Sequence, residues 1–184
     1  MKINSINKKI RMASEYGNES ELRDYLQDPG CDALSSDEDG ITGLMHAAHH
    51  GHRACVELLL PVSDPLCKDN NDLTALIRAA SAGYSDCVKL LLPVSDPHAR
   101  DKRGMTALMR AAKFGHVACT QILLPASDIS AQDRYGRDAR TSAAQNGYDE
   151  VVQIIDASYA KEEQAALSLC TGPGVEKKVM PLRI

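Results

Sequence analysis

The chain has 184 residues, enough for one domain, and a formal net charge of -4. It holds no Trp and a single Phe, which excludes a core of large aromatics and leaves Ala, Leu, Val, Ile, Met and Cys to build the interior. Charge is unevenly spread: residues 15–40 carry nine acids against the one base Arg23, whereas residues 98–140 carry eight bases against four acids, an asymmetry that can steer a partner.

The opening stretch, MKINSINKKIRM, is basic but has no apolar run behind it, unlike a secretory signal. No apolar run nears the roughly 20 residues of a membrane helix. A soluble, cytoplasmic chain is expected. Next comes a polar helix pair over about residues 5–38: Ala13-Ser14-Glu15-Tyr16-Gly17-Asn18 and Leu22–Leu26 match a pattern that recurs 34 residues further on. Its polarity suits the capping unit of a row.

Three blocks of 32 residues then follow in register: 39–70, 71–102 and 103–134. Self-similarity at this period marks a solenoid, whose units bury their apolar faces only against neighbours. In each block a threonine (Thr42, Thr74, Thr106) caps a short first helix through its hydroxyl. In the third block Leu108, Met109, Ala111 and Ala112 form the apolar side of that helix, and the small Ala-Ala pair lets neighbouring helices approach closely. Gly51, Gly83 and Gly115 end the first helices in the left-handed conformation that glycine adopts at least cost. A second helix, Val117–Leu124 in the third block, turns Cys119, Ile122, Leu123 and Leu124 inward. Pro125 stops it, as Pro61 and Pro93 stop the others. An extended, hairpin-like loop leads to the next unit.

Cys55, Cys87 and Cys119 recur with the blocks. Stacked helices lie about 8–10 Å apart and a disulfide needs Cα atoms within about 7 Å, so these are read as small buried apolar residues. Cys31, Cys67 and Cys170 follow no pattern, and no CxxC pair supports a zinc site. A fourth, worn copy over 135–158 keeps Gly136, Ala143-Ala144, Gly147-Tyr148 and Val151-Val152. Asp138 replaces the capping Thr, and Arg140 replaces an inward Leu, as in a terminal unit. The repeats thus fill residues 1–160, and 161–184 read as a short helical extension, continuing 157–169, and a flexible tail from Thr171.

The pattern G-x-T-x-L-x-x-A-A-x-x-G-[HY]-x-x-C-V-x-L-L-L, over Gly40–Leu60, Asp72–Leu92 and Gly104–Leu124, resembles the ankyrin repeat. The resemblance implies an all-α solenoid of helix-turn-helix units with hairpin-like loops. There are departures. Gly43, Ala75 and Ala107 stand where the family has Pro, which removes a preorganised first turn. Met45, Ile77 and Met109 stand where it has His, and each unit is one residue shorter than the family's usual length. The Thr-Ala-Leu-Met-x-Ala-Ala form at Thr106–Ala112 is similar to repeats common in protist ankyrin proteins, some stand-alone and some fused to kinases.

No nucleophile elbow or phosphate-binding loop is present. Neither catalysis nor a cofactor is expected. His46 and His50 have a spacing that can hold zinc, but no third ligand is evident, and they are read as structural. Carboxylates are read as solvated loop and cap residues. Nucleic acid is disfavoured by the acidic whole and the scarcity of aromatics. What remains is surface, and the resemblance implies a protein partner on the concave face and loop tips. The contact positions it implies are Glu38, Asp39, Ile41, His49 and His50; Asn70, Asn71 and Leu73, with Ser81 and Ala82; Arg103, Met105, Lys113 and Phe114, with Lys102; and Arg134, Tyr135 and Arg137, with Gln145 and Asn146. The sharpest expectation rests on Arg103, Met105, Phe114, Tyr135 and Arg137, because exposed aromatics and Arg dominate interface energetics. A monomer that binds an acidic, apolar-dotted segment is expected, with the ankyrin arm of a larger scaffold or kinase-associated complex as the alternative.

Overall fold

A computed structural model describes residues 2–170. The described residues form ten α-helices: α1 (Lys2–Tyr16), α2 (Glu19–Leu26), α3 (Gly43–His50), α4 (Arg53–Leu59), α5 (Ala75–Ala82), α6 (Ser85–Leu91), α7 (Ala107–Lys113), α8 (Val117–Leu123), α9 (Ala139–Gln145) and α10 (Asp149–Cys170). Each odd-numbered helix packs antiparallel on the even one that follows. The odd helices form one row, in the order α1, α3, α5, α7, α9, with the even helices behind. The architecture is the all-helical solenoid that the period implies.

Helices this short do not hold by themselves; caps and stacking hold them. Thr42, Thr74 and Thr106 Oγ1 accept hydrogen bonds from the backbone N–H of Met45 (3.4 Å), Ile77 (3.3 Å) and Met109 (3.3 Å). Asp138 takes the same role at α9, accepting from Thr141 N at 2.7 Å. At the other ends, Gly51 and Gly83 sit at φ 75° and 84°. The core is one continuous cluster along the row. Ala47-Ala48, Ala79-Ala80 and Ala111-Ala112 are fully sealed between neighbouring first helices, and Leu59, Leu91 and Leu123 seal the second row. Cys55, Cys87 and Cys119 are buried free thiols.

One boundary differs from the sequence reading. α8 ends at Leu123, and Pro125 lies inside a tight 3-10 turn, Leu124–Ala126, as Pro93 does in Leu92–Val94. A first-turn proline loses no hydrogen bond, so the chain tightens there before it leaves the helix. Ile122 is only half-buried. At the far end α10 runs unbroken from Asp149 to Cys170, and so includes the expected extension over 157–169. Tyr159 anchors it by donating its hydroxyl to the Ile129 carbonyl at 3.1 Å. Arg140 faces outward and grips Asp156 on α10 through two bonds of 2.5 and 3.0 Å. The expected tail from Thr171 lies outside the described residues.

Candidate functional site

The loops between units end in four tips, each built around an aspartate: Asp37, Asp69, Asp101 and Asp133. In every one, Oδ1 accepts two backbone N–H groups, from the residues two and four further on. The distances are 3.0 and 2.8 Å at Asp37 and 2.7 and 2.9 Å at Asp69. At Asp101 they are again 2.7 and 2.9 Å, and at Asp133 2.8 and 3.0 Å. This folds the tip into a fixed turn. The turn asks for a left-handed residue, which is Gly at 40, 104 and 136, and Asp72, at φ 60°, in the second unit.

The second carboxylate oxygen reaches the helix behind. Asp37 Oδ2 accepts from His46 Nε2 at 3.3 Å. Asp69 takes Arg78 Nη2, and Asp101 takes Arg110 through Nε (2.8 Å) and Nη2. Asp133 has Ser142 at the equivalent helix position and uses Arg137 instead, through Nε (2.9 Å) and Nη2 (2.7 Å). From the sequence the carboxylates are expected to be solvated. Asp69, Asp101 and Asp133 are in fact buried, at low cost because each is paired and hydrogen-bonded. The signal was present in the sequence: an aspartate every 32 residues with a base nine residues later in two blocks and a histidine there in another. Burial pushes the Asp133 carboxyl up, but the Arg137 guanidinium and the N–H groups of Arg137 and Tyr135 outweigh it and hold the pKa below the usual range. At Asp37 burial also pushes up and is outweighed by the Ile41 N–H and His46.

Adjacent tips are tied main chain to main chain. Asn70 N donates to Asp39 O (2.9 Å), Lys102 N to Asn71 O (3.0 Å) and Arg134 N to Arg103 O (3.0 Å). Of the positions expected from the sequence, Glu38, Asp39, Asn70, Asn71, Arg103 and Arg134 are exposed along this ladder, and Tyr135 is 72% exposed. Phe114 is 41% exposed at the end of α7, and His49 and His50 are exposed at the end of α3. Lys113, Arg137, Ile41 and Leu73 are half-buried, the last two packed on the core.

Met105 corrects the expectation. Its N–H donates to Asp101 as at the other tips, but its side chain lies in the core and is 0% exposed. It can offer a partner no side-chain surface. Ile41, Leu73, Met105 and Arg137 are equivalent positions; only the last unit places a charge there.

Around the third and fourth tips cations gather. Lys113 Nζ lies 5.6 Å from the Phe114 ring centroid and Arg137 Cζ 4.8 Å from that of Tyr135, within cation–π range. Burial, then repulsion from Arg110, Arg103 and Arg137, hold the Lys113 ammonium below its ordinary value. Asp101 and Asp133 are already committed, so the positive charge is not fully compensated.

Three histidines bond to backbone carbonyls. His50 donates Nδ1–H to the His46 carbonyl at 3.0 Å. His52 and His116 donate Nε2–H to the carbonyls of Glu15 (2.9 Å) and Ser81 (3.0 Å) of the preceding unit. None of the described helices is long and apolar enough to cross a membrane.

A family model for ankyrin repeats, three copies, matches residues 10–101 and again 93–163. A search of curated proteins finds no match. Ankyrin repeats are generally protein–protein interaction modules and typically carry no catalysis. With capped helix pairs stacked in one row and family matches that together span residues 10–163, the chain belongs to the ankyrin-repeat family.

Proposed function

We propose that this chain is a non-catalytic interaction module that acts as a monomer and holds a protein partner on the face carrying the first helices and the loop tips. The main contact lies at the third and fourth units, where Arg103, Lys113, Phe114, Arg134, Tyr135 and Arg137 stand together. The partner segment is acidic and dotted with apolar residues. The observation that carries this reading is the surplus of positive charge beside two exposed aromatic rings, with the nearby aspartates Asp101 and Asp133 buried and spent on the tips. Anchors of this composition dominate binding energy where they are found, and a cationic rim raises the rate of encounter with an acidic segment.

The test is a titration with a synthetic glutamate-rich, leucine-bearing peptide. Arg103→Glu and Arg134→Glu should each weaken it by roughly three- to tenfold with the melting temperature unchanged. Phe114→Ala should weaken it without altering the salt dependence. Equal affinity in all three variants removes the site.

A further inference from the structure

The four tips present equivalent residue pairs, and their charge runs from negative at the first through neutral at the second to positive at the third and fourth. The first tip offers Glu38 and Asp39, the second Asn70 and Asn71. The third offers Lys102 and Arg103, the fourth Arg134 and Tyr135. All are exposed, and none of the five bases and acids among them is in a salt bridge with another described residue. The main-chain bonds between neighbouring tips fix their order and spacing.

We propose that this ramp selects a partner segment with two poles: a basic stretch that lies at the first tip and an acidic stretch that lies at the third and fourth. The inference rests on the proposed function and adds the partner's second pole and its orientation. Three steps between units of about 8–10 Å each span about 25–30 Å. An extended chain at about 3.3 Å per residue covers that distance with about eight or nine residues. The neutral Asn70-Asn71 step falls between the poles; Asn70 Nδ2 is held by the Glu38 carbonyl at 2.9 Å, and the exposed Asn71 side-chain amide can bond to a peptide backbone whatever its sequence. A groove of about 770 Å³ opens beside the first tip and receives the basic end. It is lined by two bases, Lys8 and Arg11, the second donating to Ser35 Oγ at 3.1 Å, and by His46. Asp37 is spent on its tip and on His46, and the remaining carboxylates, Glu15, Glu38 and Asp39, outnumber the two bases there. Like charge at either end repels a segment laid the wrong way round, which is specificity by repulsion as well as attraction.

The test uses labelled peptides of about twelve residues and fluorescence anisotropy on the full chain at low salt. One carries a lysine block, a Gly-Ser spacer and a glutamate block. A second carries the same residues in alternating order, and a third carries only the glutamate block and spacer. The block peptide should bind about tenfold more tightly than the alternating one, an advantage that shrinks in high salt. Glu38→Lys/Asp39→Lys should abolish the advantage of the block peptide over the glutamate-only peptide without lowering the melting temperature. If the glutamate-only peptide binds as tightly as the block peptide, the ramp proposal fails while the proposed function stands. If no peptide binds, the ramp proposal fails, and the proposed function stands or falls with the leucine-bearing peptide. Sedimentation of the chain alone is the remaining arm: a concentration-dependent dimer lost in Arg103→Glu identifies a second copy as the occupant and overturns the proposal.

Discussion

The ring of Tyr84 lies so close over Gly51 of the preceding unit that a Cβ on that glycine would stand 2.2 Å from Tyr84 Cδ1. His52 covers Gly17, His116 covers Gly83 and Tyr148 covers Gly115 in the same way. A ring from each unit thus fills the space that a missing side chain leaves in the one before.

Gly51→Ala meets both the ring and a left-handed backbone, at φ 75°, and should destabilise by about 2 kcal/mol or more. Gly147→Ala, at φ 78° with nothing within 4 Å, should cost only the backbone term, about 1 kcal/mol. Denaturant melts of the two variants compare them directly. Equal losses would mean that the ring contact contributes nothing.

Asp101→Ala removes the acceptor for Arg103 N, Met105 N and Arg110 at once. It should destabilise by about 3 kcal/mol, since it strands a mostly buried guanidinium as well as two amides. Adding Arg110→Leu should restore part of the loss. A double variant no more stable than the single one would show that the guanidinium is not the costly group.

The folded-state pKa of Asp133 is depressed, and so is that of Asp37. Their contribution to stability is therefore fully present above the ordinary carboxyl pKa. It is lost as pH falls through the depressed folded values, below about pH 4. Thermal melts across that range should show a plateau from near neutrality down to about pH 5 and a fall below about pH 4. Asp133→Asn should lower the plateau and flatten the fall. A variant that keeps the parental acid slope would remove Asp133 from this account.

Burial pushes the thiols of Cys87 and Cys119 up to about 11. Little thiolate exists near neutrality, so alkylation in the folded chain should be slower than for a free thiol by about a hundredfold or more. Peptide mapping after timed iodoacetamide treatment should find these two cysteines unmodified until denaturant is added. Rapid labelling under native conditions would show that the units open locally.

The helix pairs were legible because their signals are local and repeated. A Thr three residues before an amide and a Gly at a left-handed end each act within one turn, and the Ala-Ala pair between first helices returns in every block. The tips were less legible. The bond from Asp101 to Arg110 joins a loop to a helix nine residues away, and its turn role makes such an aspartate look like a solvated loop residue. Met105 was less legible still: Ile41, Leu73 and Arg137 give their N–H to the equivalent aspartates and stay half-buried, so no local signal sets the buried Met105 apart. In the last unit Arg137 takes over the pairing that Ser142 cannot supply, a compensation that no single position announces.

Because the tips hang from one another by main-chain bonds, what each displays is largely decoupled from what holds it. The pair Asn70-Asn71 could be exchanged for Lys102-Arg103 with the same amides and carbonyls still meeting, apart from the one bond from Asn70 Nδ2 to the Glu38 carbonyl. Such a row can acquire a new target by altering a few letters on a fixed frame, and its stability need not be renegotiated each time.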